Sequence, residues 1–115
     1  MKTIISPSIL SADLKNLAAQ VWAAQEGGAD EIHIDVMDGR FVPNITFGSD
    51  IVRACKDSTD LPIDVHLMIV EPEKHLKSFI DAGANTVTIH YETCPHIHRS
   101  LQTIRELGAR AGLTY

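Results

Sequence analysis

The 115-residue chain reads as a parallel α/β protein. Three observations predict that class. Stretches of strand character alternate with stretches of helical spacing from end to end, in the order βαβαβαβαβ, which implies a parallel sheet. The strands alternate aliphatic with polar residues, one face each. Gly28-Ala29-Asp30-Glu31-Ile32-His33-Ile34-Asp35 also resembles Gly83-Ala84-Asn85-Thr86-Val87-Thr88-Ile89-His90, so a helix end feeds a strand in the same way twice.

Thr3 to Ser8 is the first expected strand, with Ser6 and Ser8 on one face, and Pro7 marks its end because it cannot donate to a ladder. Ser11 or Asp13 is placed to cap the first helix, which carries Leu14, Leu17, Ala18, Val21 and Trp22 at helical spacing. Gly27-Gly28 closes it. The second strand spans about Glu31 to Met37, with Ile32, Ile34 and Val36 opposite His33, Asp35 and Met37.

Asp38 to Gly48 follows without clear periodicity. Such connections usually run to about 2–6 residues, and longer ones tend to be lids or binding loops. Ser49 or Asp50 is expected to cap the second helix, with Ile51, Val52 and Cys55 inward. Pro62 to Met68 is the third strand. Glu71-Pro72-Glu73 opens the third helix, with proline in a tolerated first-turn position and acids matched to the dipole. Leu76, Phe79 and Ile80 form its inward stripe. Asn85 to His90 is the fourth strand, and Pro95 to Leu107 the fourth helix, with Ile97, Leu101, Ile104 and Leu107 inward. Arg110 to Tyr115 begins a fifth strand and ends in it, as a truncated unit would. A (β/α)8 barrel and a flavodoxin-like sheet both repeat such units, so the repeat does not choose between them.

Composition narrows the function. The chain is 44% hydrophobic and 22% charged, with a net charge of −5. It suits one modest domain, residues 1–115, without linker or low-complexity tract. No Lys/Arg cluster offers a nucleic-acid footprint. No run reaches the roughly 18 apolar residues of a membrane span, and the proline-interrupted start does not read as a signal peptide. Cys55 and Cys94 lack CxxC spacing, which points to a reduced, cytoplasmic protein.

The chemistry collects on the polar strand faces. His33, Asp35 and Met37 are matched on the next strand by Asp64, His66 and Met68; Ser8 and His90 stand near the carboxyl ends of the strands beside them. Ligand crevices in parallel α/β folds lie at those ends. His33, Asp35 and His66 form a sensible divalent-metal set of two imidazoles and a carboxylate. The plainer reading, hydrogen-bonded core histidines and methionine filler, stands beside it. His75, His96 and His98 read as surface residues.

These residues carry a resemblance. Ser6-Pro7-Ser8-Ile9-Leu10-Ser11-Ala12-Asp13, His33-Ile34-Asp35-Val36-Met37-Asp38-Gly39, Phe41-Val42-Pro43-Asn44 and Asp64-Val65-His66-Leu67-Met68 resemble the ribulose-phosphate 3-epimerase family, in its order and spacing. The resemblance implies the N-terminal half of a TIM (β/α)8 barrel, about four and a half units. It implies a cytoplasmic, homo-oligomeric parent enzyme that interconverts the sugar phosphates D-ribulose 5-phosphate and D-xylulose 5-phosphate through an enediolate. It implies one divalent metal ion (Zn, Fe(II), Mn or Co) on His33, Asp35 and His66, with Asp35 also one of two proton-exchanging aspartates. Ser8, His66, Met37 and Met68 correspond to substrate-contacting positions. A typical barrel runs to about 250 residues, so the second aspartate and the phosphate-gripping loops fall outside these residues and the chain alone is expected to be inactive. The sibling epimerase acting on allulose 6-phosphate shares the strand motifs. A half-barrel or flavodoxin-like module that associates through its open edges is the non-enzymatic alternative.

Overall fold

Four parallel strands lie side by side in chain order in the computed structural model, which describes residues 1–115. They are β1 (Ile32–Met37), β2 (Ile63–Met68), β3 (Thr86–His90) and β4 (Arg110–Thr114). Each is preceded by a helix: α1 (Leu17–Glu26), α2 (Ser49–Ser58), α3 (Leu76–Asp81) and α4 (Ile97–Glu106). A flavodoxin-like sheet reverses direction, with strand order 2-1-3-4-5. The strictly sequential order here excludes it and matches the winding of a barrel. Because crossovers share one hand, sequential winding puts every helix on one face. The helices accordingly pack as neighbours, α1 on α2, α2 on α3 and α3 on α4.

That face holds the core. Ile32, Ile34, Val36, Ile63, Val65, Leu67, Val87 and Ile89 are buried against Val21, Val52, Cys55, Leu76, Phe79 and Ile104 from the helices. The intervening strand residues are only half-buried on the opposite face. Aliphatic burial, worth about 1.5–3 kcal/mol per large side chain, therefore dictates which residues are left on the open face.

Three expectations are corrected. Thr3 to Ser8 is extended but not a ladder strand. The carbonyls of Ile5 and Pro7 accept from Asp30 and His33 N–H at 2.8 and 2.9 Å, and Ser8 makes one parallel bridge to His33. Ile5 N–H turns instead to the Asp30 carboxylate, 2.8 Å away, and Pro7 has no N–H to give. The cap of α2 is Gly48 rather than Ser49 or Asp50, both of which lie inside the helix. Along α1, Leu17 and Val21 are buried while Ala18 and Trp22 are exposed, and Leu14, in the turn ahead of the helix, is exposed as well. Asp13 does cap, accepting from Lys15 N–H at 3.1 Å, but the turn it caps is a short 3-10 turn ahead of α1.

The long loop after β1 folds back on itself. Asp38 makes an antiparallel bridge with Ile45, and Thr46 N–H donates to Met37 O at 3.1 Å. Gly39 turns the chain with φ of 73°, where a Cβ would meet Ile45 Cγ1 at 2.7 Å. Positive φ and no side-chain room together require glycine.

Candidate metal centre

The strand register assembles the site. Asp35 is paired with His66 and His33 with Asp64, all four on the open face of β1 and β2. The alternation His33-x-Asp35 and Asp64-x-His66 thus becomes a square of side chains on adjacent strands.

Asp35 is its centre. Its Oδ1 lies 2.8 Å from His33 Nε2 and 3.2 Å from His66 Nδ1. Its Oδ2 accepts a long hydrogen bond from Ser8 Oγ at 3.4 Å. Its backbone carbonyl accepts from the Thr46 hydroxyl at 2.9 Å, and that hydroxyl accepts from Met37 N–H at 3.0 Å. Sequence reasoning did not single out Thr46, which ties the loop to the strand end.

One ligand atom each from His33, Asp35 and His66 lies within 4.8 Å of the others. Two imidazoles and one carboxylate on a rigid strand pair are donors that divalent ions accept. The donor set fits such an ion. Ser8 and the register-paired Met37 and Met68 flank this group on the same face. Both methionines are half-buried.

The electrostatics of the two imidazoles diverge. The Asp64 carboxylate, 2.7 Å from His33 Nδ1, is the main reason that His33 is raised to about 9. Burial opposes the shift and Asp35 reinforces it. Burial lowers His66, and the neighbouring His90 lowers it further against the pull of Asp35. His66 Nε2 is 2.7 Å from His90 Nε2, the rings nearly parallel at 19°. His90 in turn meets Glu92 through Nδ1 at 3.2 Å and Phe41 of the loop at a ring separation of 4.8 Å.

Asp64 and Glu92 went unrecognised as site residues in the sequence. The signal for Asp64 was its place on the polar face of its strand, level with His33. Glu92 lies in a 3-10 turn after β3 and carried no periodic signal.

The largest cavity, about 520 Å³, lies under the loop against α2 and α3. Met37 lines it together with Arg40, Phe47 and His75, but His33, Asp35 and His66 do not. The imidazole cluster sits on the unroofed face of the sheet, where a concavity is not yet enclosed. Cys55 and Cys94 are free and buried. Burial pushes the Cys55 thiol up to about 11 and also raises Cys94, so neither is poised as a nucleophile. His75, His96 and His98 are exposed.

Comparison with known proteins gives these positions a family. The model of the Ribulose-phosphate 3 epimerase family matches residues 4–115. The chain is 54% identical over 109 residues to the ribulose-phosphate 3-epimerase of Bacillus subtilis, covering 95% of this chain and 50% of that one. It is 55% identical over 112 residues to the chloroplastic ribulose-5-phosphate-3-epimerase of Arabidopsis thaliana, covering 96% and 40%. The chain thus spans about half the length of the curated relatives it matches. Among solved structures, the tryptophan synthase alpha chain of Legionella pneumophila superposes with a TM-score of 0.66 at 13% identity, covering 96% of this chain and 50% of that one. At that identity the likeness concerns the fold alone, a TIM-barrel-like half. By the match along nearly its whole length, the chain belongs to the ribulose-phosphate 3-epimerase family.

Proposed function

We propose that the polypeptide containing this chain is a ribulose-phosphate 3-epimerase that interconverts D-ribulose 5-phosphate and D-xylulose 5-phosphate at C3 through an enediolate, in the cytoplasmic pentose phosphate pathway. The observation that carries this reading is the division of Asp35. Its Oδ1 is engaged by both imidazoles, and its Oδ2 is left to Ser8 and to whatever enters the open face.

Asp35 Oδ1, His33 Nε2 and His66 Nδ1 would hold one divalent ion (Zn, Fe(II), Mn or Co). When bound, such an ion supplies Lewis-acid polarisation of adjacent sugar oxygens. Asp35 Oδ2 takes the proton from C3 as general base. The Ser8 hydroxyl orients that oxygen and contacts substrate. Met37 and Met68 give a polarisable apolar wall that limits water without competing for a hard cation. Inversion needs a second acid on the far face of the sugar, and the cluster contributes a single carboxylate. We therefore assign residues 1–115 to a partial barrel domain whose remaining strands supply that acid and the phosphate grip, in a homo-oligomeric enzyme. The isolated chain has negligible turnover.

The test is a coupled assay of the intact polypeptide with D-ribulose 5-phosphate and with D-allulose 6-phosphate, with and without chelator. Chelator-sensitive turnover of the pentose phosphate is expected, and Asp35→Asn lowers it at least about 10²-fold, the scale of general-base catalysis. A strong preference for the hexose phosphate assigns the sibling activity instead, and retained turnover in Asp35→Asn removes the base.

The exposed Leu14 and Trp22, at 55% and 51% accessibility, and Leu113 on the edge strand β4 at 44% favour a second reading. In it, this chain is an association module without turnover of its own. Sedimentation of the isolated chain together with the assay of the intact polypeptide separates the two: a stable assembly of the chain, with an intact polypeptide that is inert toward both sugar phosphates, supports the module.

A further inference from the structure

We propose that Asp64 is a positioning residue for the metal centre, holding His33 by Nδ1 so that Nε2 is the atom presented to the ion. The inference rests on the metal reading above and extends it to a residue that contributes no ligand.

The geometry has two parts. Asp64 Oδ2 lies 2.7 Å from His33 Nδ1, at a register position directly across the β1–β2 pair. Both side chains are largely shielded, at 23% and 20% accessibility for His33 and Asp64. A carboxylate can only accept a hydrogen bond, so Asp64 keeps a proton on Nδ1 and leaves Nε2, which donates to Asp35 Oδ1 2.8 Å away, as the nitrogen whose proton a metal ion displaces. An imidazole without that anchor can rotate about its side-chain bonds or present the other nitrogen. Outer partners of this kind commonly alter metal affinity by about 10- to 100-fold.

The arrangement of His66 is the counterpart. There Nδ1 faces Asp35 and Nε2 is held by His90. Each ligand imidazole thus has one nitrogen in the cluster and the other engaged outside it, by a carboxylate for His33 and by an imidazole for His66. Asp64 has no lysine or arginine partner among the ion pairs of the structure, so a role in neutralising surface charge does not account for it.

The test is titration of the 115-residue chain with Co²⁺, followed by visible absorption, with far-UV circular dichroism to monitor folding. The unaltered chain is expected to bind, and Asp64→Ala to bind about 10- to 100-fold more weakly with its dichroism unchanged. Asp64→Asn, whose carbonyl still accepts from Nδ1, recovers part of the loss. Equal binding by the unaltered chain and Asp64→Ala overturns the role of Asp64 and leaves the metal reading standing. Failure of the unaltered chain to bind overturns both. A second measurement needs no variant: imidazole ¹⁵N shifts of the Zn²⁺-loaded chain. A protonated, hydrogen-bonded Nδ1 on His33 with Nε2 on the metal supports the assignment, and the reverse tautomer overturns it.

Discussion

Ser8 donates through Oγ to Oδ2 of Asp35, the carboxylate oxygen that the two imidazoles leave unclaimed, and the same Oγ accepts from Leu10 N–H at 3.1 Å. One hydroxyl therefore caps the start of the 3-10 turn Ile9–Ser11 and aims a carboxylate. Ser8→Ala separates the two tasks. Loss of the cap is expected to lower stability by about 1 kcal/mol, read as a reduced urea midpoint of the isolated chain. In the intact polypeptide the same change should lower kcat while metal content stays constant, because Oδ1 is untouched. A fall in metal content together with kcat would place Ser8 with the ligands instead.

The His33 imidazole sets the pH response of the metal-free chain. Its value is about 9 in the fold and 6.5 when unperturbed. A raised histidine contributes stability that is fully present below 6.5 and is lost as pH rises through 9. His66 is lowered, so its charging works against the fold as pH falls below 6.5. Denaturation midpoints measured in chelator should therefore decline on the alkaline side between 6.5 and 9, and His33→Gln should flatten that limb. The same proton competes with a metal ion. Co²⁺ affinity should rise with pH across that interval, with proton release on binding.

Asp38 anchors the loop through backbone donors. Its Oδ1 accepts from Arg40 and Phe41 N–H, each at 2.9 Å, and its Oδ2 from Val70 N–H at 2.8 Å across to the end of β2. Burial would raise its carboxyl, but these three N–H groups outweigh it and hold the group below its usual value. A depressed acid contributes stability above its unfolded value and loses it as pH falls through the folded one. Asp38→Ala is expected to cost about 2–3 kcal/mol and to remove the low-pH part of the stability curve. Amide exchange at Phe41 and Val70 should accelerate together; acceleration at one alone would show that the loop and β2 are not coupled by this side chain.

Gly112 records a close approach between β3 and β4. A Cβ there would run into Thr88 Oγ1 and lie 3.1 Å from Thr88 Cβ, and Thr88 is the register partner of Gly112. Gly112→Ala should cost about 1–3 kcal/mol through overpacking. Thr88→Ala in the same chain should restore most of it, since the two residues share one space. A double-mutant cycle with no coupling would remove the contact as the cause.

Much of this arrangement was legible in the residue pattern, and the failures have physical causes. His33, Asp35 and His66 share a face because alternation alone put them there, and the sheet register brought them together. Pairing between strands is a tertiary property, so Asp64 looked like one more polar residue until it stood beside His33. Thr3 to Ser8 was extended as expected, but the Asp30 side chain drew away the Ile5 N–H that a ladder would have used. Trp22 shows the limit of helical spacing. The period identifies a face that can be buried, and only the neighbouring elements decide whether it is.

The β1–β2 register has a consequence for how this site can vary. Because Asp35 and His66 are cross-strand partners, the interval between ligands is set by sheet hydrogen bonding rather than by side-chain choice. A slip of one residue would turn Ile63, Val65 and Leu67 out of the core and Asp64, His66 and Met68 into it. At about 1.5–3 kcal/mol for each aliphatic side chain, that exchange is prohibitive. The hydrophobic face thus works as a ruler for the polar one: substitutions that merely trade one aliphatic for another behind the sheet leave the ligand spacing unchanged. The gauge for the candidate metal site is cut into residues that never touch it.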